Sequence, residues 1–136
     1  MPRTGPGLGS AAEEIRRDAS LGLQAAAGLF LEQVGTELST PGRGRLYQKY
    51  APKRLHQASI PGDPPAPDTG VLRNSIAMAP TESGFRVGTN LEYAEYLEFG
   101  TARIAPRPFM RTAIAKVETQ LGPEIVATIR RRRGDP

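Results

Sequence analysis

Three glutamates, Glu92, Glu95 and Glu98, are the residues whose type and spacing come nearest to chemistry. Grouped carboxylates can work as general acid and base, or hold a hard cation. These three lack the company that either task needs. The chain has one histidine, His56, and no cysteine. A thiolate or imidazole ligand set, and a Ser-His-Asp arrangement, are therefore not expected. Glu13 and Glu14 make a second acidic pair, again without His or Cys beside it. His56 follows Arg54 in a basic segment, which suits a surface or packing role better than that of a base. Gly42-Arg43-Gly44 resembles a phosphate-cradling loop but follows no predicted strand and lacks the Gly-Lys-Ser/Thr ending of a P-loop. The reading is of a protein that is not an enzyme and needs no metal or cofactor.

The cations are the other chemically active group. The 136 residues carry 18 Lys and Arg against 14 Asp and Glu, a net charge of +4. The excess is blocked. Residues 41–56 hold Arg43, Arg45, Lys49, Lys53 and Arg54 with no acid, and Arg130, Arg131, Arg132 and Arg133 form a terminal run. The rest of the chain is net acidic, in part through Glu92, Glu95 and Glu98. Two readings follow: basic arms that meet acidic patches on neighbouring subunits, or cations that meet DNA phosphates. Tyr47 and Tyr50 lie among the cations as aromatic anchors.

The elements that must position these groups belong to one domain of ordinary size. No apolar run approaches the ~18 residues of a membrane span, and the first ten residues lack an apolar signal core. Gly and Pro, 15 and 13 in number, make up more than a fifth of the chain and imply loops or extended arms. Residues 1–9 read as a flexible arm, 10–129 as a single α+β domain and 130–136 as a basic tail. Ser10 with Glu13 forms a capping-box pattern. Ile15, Ala19, Leu23, Ala26, Phe30, Val34 and Leu38 then recur at helical spacing, predicting a helix over about 11–38. Residues 41–70, with the proline cluster at 61–67, show neither period and predict a long extended loop. Alternation over 75–79 and 85–88 predicts a β-hairpin. Residues 91–99 predict a short helix capped by Asn90 and stopped by Gly100. In it Tyr93, Tyr96 and Leu97 share one face and the three glutamates another. Residues 102–107 are extended. Pro108 opens a last helix whose apolar stripe is Phe109, Ala113, Val117, Leu121, Ile125 and Ile129, with a break expected at Gly122-Pro123. The fold class predicted is α+β: long N- and C-terminal helices packed on a small antiparallel sheet.

Residues 93–101, Tyr-Ala-Glu-Tyr-Leu-Glu-Phe-Gly-Thr, and 105–113, Ala-Pro-Arg-Pro-Phe-Met-Arg-Thr-Ala, resemble a signature of tailed-bacteriophage proteins. So do 56–66, His-Gln-Ala-Ser-Ile-Pro-Gly-Asp-Pro-Pro-Ala, and 68–76, Asp-Thr-Gly-Val-Leu-Arg-Asn-Ser-Ile. The four pieces in this order resemble the gene-product-ten-like family of neck and tail-completion proteins, to which the Z protein of phage lambda is related. The resemblance covers roughly 42–115. Its signature positions here are Asp68, Thr69, Gly70, Leu72, Tyr93, Tyr96, Leu97, Glu98, Gly100, Thr101, Arg107, Pro108 and Phe109, most of which read as packing residues.

The resemblance implies a virion protein at the head–tail junction, assembled in the host cytoplasm, that is not an enzyme. It implies a ring, with a hexamer as the first expectation and a dodecamer as the second. The ring would meet head-closure or connector proteins on one side and a tail terminator or tail tube protein on the other, with genomic DNA passing through. A tail terminator capping the tube is the nearest alternative, and a free nucleic-acid-binding protein the second. In a ring the interface candidates are Arg43, Arg45, Tyr47, Tyr50, Lys53 and Arg54 on one side, meeting Glu92, Glu95 and Glu98 on the next subunit. Arg130, Arg131, Arg132 and Arg133 are candidates for DNA or a partner.

Overall fold

A computed structural model describes residues 7–50, 53–68 and 70–134. The fold is α+β, with two long helices and two small antiparallel sheets. Helix α1 spans Leu8–Glu37 and α4 spans Met110–Arg133. Between them lie strands β1 (Leu46–Tyr50) and β2 (Lys53–Gln57), helix α2 (Val71–Ser75), strands β3 (Ala77–Pro80) and β4 (Phe85–Gly88), and helix α3 (Tyr93–Phe99).

Helices α1 and α4 run antiparallel. Asp18 meets Arg132 and Arg133 at one end, Gly22 faces Ile125, and Glu37 meets Lys116 at 2.6 Å towards the other. The core sits where the end of α1 and the start of α4 close on α3. Val34, Leu38, Ala94, Phe109 and Ala113 form it, with Phe30, Leu72, Ile76, Leu91, Leu97 and Met110 packed around them. The stripe expected on α4 is buried at Phe109, Ala113 and Val117.

On α1 the C-terminal half of the expected stripe packs as read, but the first half does not. Ile15 is 59% exposed, and the buried positions are Asp18, Gly22 and Ala26. The reason is Gly22. A Cβ there would lie 2.8 Å from the Ile125 Cγ2 and 3.2 Å from its carbonyl oxygen, so the glycine lets α4 approach on that side. Leu23 turns instead towards Gly84, in the β3–β4 connection.

Three further boundaries differ from the sequence reading. The Ser10–Glu13 capping box is absent, because α1 already begins at Leu8 with Gly7 as N-cap and no side-chain cap bond. Of the 1–9 arm, residues 1–6 lie outside the described residues. Helix α4 runs through Pro123 without ending. Pro123 and Thr119, whose carbonyl it leaves without an amide donor, are both exposed, and water can take that carbonyl's bond. Arg130–Arg133 belong to the last turn of α4, closed by Gly134 at φ 73°, rather than to a loose tail; residues 135–136 lie outside the described residues.

The loop at 41–70 is not structureless: β1 and β2 pair antiparallel inside it, with Leu46 opposite Gln57 and Tyr50 opposite Lys53. Period-2 alternation was illegible there because each face of this ribbon mixes polar and apolar side chains. The hairpin expected at 75–79 and 85–88 forms as β3–β4, with Thr81 N–H closing the turn on the Gly84 carbonyl at 2.8 Å. The single expected sheet is therefore two separate two-stranded sheets.

The helix contact generates a paired prediction. Nothing lies within 4 Å of a Cβ added at Gly28, also inside α1. Gly28→Ala should stabilise by about 0.5–1 kcal/mol through helix propensity. Gly22→Ala should destabilise by about 1–3 kcal/mol as the helices are pushed apart. Urea denaturation of the two variants checks this, and equal effects would refute the close approach.

Candidate functional site

Glu98 is the residue the sequence placed on an exposed acidic face and the structure places inside. It is 5% exposed, and its carboxylate accepts the first free amides of α4. Oε2 accepts from Phe109 N–H at 2.8 Å and Met110 N–H at 2.9 Å, and Oε1 from Arg111 N–H at 3.0 Å. A helix start leaves four such donors without partners and carries positive dipole charge. One carboxylate answers three of them across eleven to thirteen residues of chain. The Arg111 Nε donates to Oε1 at 3.0 Å, its guanidinium also reaches the Glu98 carbonyl, and it lies 5.1 Å over the Phe99 ring. Glu98 is thus a cap, corrected from its assignment to a subunit interface.

The chain between these two anchors is drawn tight. Gly100 takes φ 75°, and a Cβ there would lie 2.8 Å from the Ile104 carbonyl oxygen and 2.9 Å from Pro106. The Thr101 hydroxyl accepts from Arg103 and Ile104 amides, and Arg107 N–H donates to the Leu97 carbonyl at 2.6 Å. Pro108 ends the extended run and offers its carbonyl to the Thr112 hydroxyl at 2.9 Å. Phe109 is 1% exposed beneath it. Gly62 N–H donates to the Pro106 carbonyl, tying in the proline-rich segment.

Asp68 is the second organising acid. Arg54 donates to it from two nitrogens, Lys49 Nζ stands at 3.8 Å and His56 Nδ1 at 3.7 Å. The Arg54 bond is the main cause of its lowered pKa, with burial opposing. The acid therefore does not cap α2, whose N-cap is Gly70 at φ 82°; Thr69 lies outside the described residues. Leu72 of α2 packs on the core. A cleft of about 400 Å³ opens between these segments, lined by His56, Ser59, Asp68, Leu72, Tyr93 and Arg107 among others.

The remaining candidates divide between committed and open. Arg43 is bonded to Asp63 at 2.8 and 3.0 Å, and Arg45 lies 5.3 Å over the Tyr47 ring. Arg131 meets Glu124 at 3.0 Å, while Arg132 and Arg133 hold the buried Asp18 at 2.5 and 2.7 Å. The Arg133 bond is the largest reason why the Asp18 carboxyl titrates below its ordinary range. Arg130 is exposed. Tyr47, Tyr50, Lys53, Glu92 and Glu95 are exposed as well. Tyr93 and Tyr96, read among the packing residues, are 43% and 46% exposed, and Phe99 beside them is 63% exposed. The buried face of α3 turns out to be Ala94 and Glu98, because the capping bond swings that side inward.

Asp18, Asp63 and Arg111 were missed as partners. Asp18 had a legible signal, since it stands four residues before Gly22 and eight before Ala26, on the face that α4 approaches. Asp63 had none, because its partner lies twenty residues away across a hairpin. Among the described residues no group of three or more His, Cys, Asp or Glu could hold a metal. No helix is long and apolar enough to cross a membrane, again among the described residues. No family model, curated protein or solved structure matches this chain.

Burial is the largest influence on the Glu98 carboxyl and acts to raise its pKa, but the amides of Arg111, Met110 and Phe109 and the Arg111 guanidinium together lower it. A lowered folded-state value means that this stabilisation is present above the ordinary glutamate pKa of ~4.3 and is lost as pH falls through the folded value. Glu98→Gln should cost about 1.5–3 kcal/mol at neutral pH. The gap to the parent protein should narrow on acidification below about pH 4. Unfolding free energies measured against pH check this, and a pH-independent gap would contradict it.

Proposed function

We propose that this chain is a structural virion protein of a tailed bacteriophage, acting at the head–tail junction as a neck or tail-completion subunit. It works as a closed ring, hexameric as the first expectation, that joins or completes the tail and lets DNA pass. Its neighbours on this reading are head-closure or connector proteins above and a tail terminator or tail tube protein below. Its place is the virion after assembly in the host cytoplasm, and it carries out no catalysis.

One observation carries the reading. Three of the four segments that resemble the phage family, 56–66, 93–101 and 105–113, bond to one another, and the fourth, 68–76, packs on the same core through Leu72 and Ile76. Glu98 holds the 109–111 amides, Leu97 holds Arg107, Pro106 holds Gly62, and the Arg107 guanidinium reaches the Ser59 carbonyl at 3.5 Å. Segments that meet in one joint support the reading of a signature that preserves a subunit's fold, which suits a protein whose work is assembly.

Surface composition adds support. Among the described residues only seven apolar side chains are buried, while thirteen large ones are exposed, Tyr50, Leu55 and Phe99 among them. Subunits that complete their burial on neighbours leave such surface uncovered when alone. The free nucleic-acid-binding reading is weaker. Arg43, Arg54, Arg131, Arg132 and Arg133 are each bonded to a carboxylate of the same chain, which offsets the charge that phosphate binding would use.

Electron microscopy of particles assembled without this protein tests the reading. Complete tails beside unattached heads are the expected result. Overlong tails would make it a terminator capping the tube. Normal infectious particles would overturn both roles.

A further inference from the structure

The β1–β2 ribbon has two unlike faces. The inner one, with Lys49, Arg54 and His56, is gathered round Asp68. The outer one carries Leu46, Tyr50 and Leu55, which are 60%, 78% and 70% exposed. Leu55 stands opposite Gln48, between the Leu46–Gln57 and Tyr50–Lys53 pairs. Leu46, Leu55 and Tyr50 are therefore diagonal neighbours, on the order of 7–8 Å apart, and form one apolar ridge. A two-stranded ribbon is marginal in water and gains most from a cover on such a face.

A second exposed surface lies on α3, where Arg111 stands over one face of the Phe99 ring. Tyr96 and Phe99 are exposed one turn apart, flanked by Glu92 and Glu95. Neither glutamate meets a cation among the described residues, and Lys53, next to Tyr50 on the ridge, meets no carboxylate there. The two surfaces match in kind: an apolar strip with a cation that meets no acid, and an aromatic strip with two acids that meet no cation, Glu92 accepting from the Tyr96 hydroxyl at 3.4 Å.

We propose that the outer face of the β1–β2 ribbon of one copy docks on the exposed face of α3 of a second copy. Leu46, Leu55 and Tyr50 cover Tyr96 and Phe99, and Lys53 pairs with Glu92 or Glu95 at the rim. The inference rests on the ring reading above and gives it a contact. The two patches are different, so each copy offers one and receives the other, and the contact propagates until it closes. The apolar centre supplies affinity, and the rim charges set register and encounter rate. DNA is a poor occupant of the ridge, since Lys53 is the only charged residue on that face of the ribbon.

The chain has no cysteine, which makes a direct test available. Single variants Leu55→Cys and Phe99→Cys, one bearing an affinity tag, are mixed and oxidised, and the parent protein is weighed by native mass spectrometry. The expected result is a multimeric parent and a mixed cross-linked pair that far exceeds the homodimer of either variant alone. Leu55→Asp should lose the multimer while its circular-dichroism melt is unchanged; if that variant does not fold, the cross-link decides. A multimer with no preferred mixed cross-link would overturn this docking and leave the ring reading standing. A parent that stays monomeric at every concentration would overturn both.

Discussion

The bond set between the Glu98 carboxylate and the first amides of α4 is the constraint on which much of this structure depends. Helix starts are ordinarily capped by a residue at the start itself. Here the cap comes from the preceding helix, and Phe109 at the N-cap position supplies no side-chain bond. Capping from α3 welds two helices into one corner and fixes the route of the chain between them. Gly100 must then take a conformation that only glycine adopts easily, and Pro106 and Pro108 must hold the return extended. Phe109 and Ala94 are carried into the core by the same geometry. Arg111 completes the arrangement by neutralising the buried carboxylate, without which its desolvation would be unfavourable.

The long helix pair is governed by a different balance. Near the core it is held by Val34, Leu38 and Ala113; farther out it is held by close approach at Gly22 and by charge. Asp18 would be a costly buried anion alone, but two arginines from the last turn of α4 surround it. Those cations also suit the negative end of the helix dipole. The run of four arginines therefore has a structural employment in this chain, and its charge is only partly available to anything else.

A small core stands beside a broad apolar surface. Seven buried apolar residues among those described make a modest core for a domain of this length. The uncovered residues are not scattered evenly, since the ribbon β1–β2 and the outer side of α3 each gather several. The ribbon is gathered round Asp68 and α3 is bonded to α4 through Glu98, so each surface stands on an element tied in by a carboxylate.

Much of this was legible in the residues. Apolar spacing located both long helices, period-2 alternation located β3–β4, and Gly100, Pro106 and Pro108 announced a sharp turn and an extended return, because each acts through local backbone restriction. The ribbon β1–β2 was not legible, since both its faces are mixed and its order comes from Asp68, beyond the hairpin. Nor was the role of Glu98: at i, i+3, i+6 it matched two exposed glutamates, and nothing local distinguished it. The sequence by itself determined helix class, turn positions and the separation of charge into blocks, because these follow from propensity and spacing. Only the tertiary structure decided which charges are buried and paired and which stay open, because that depends on which helix end or arginine is brought within hydrogen-bond reach.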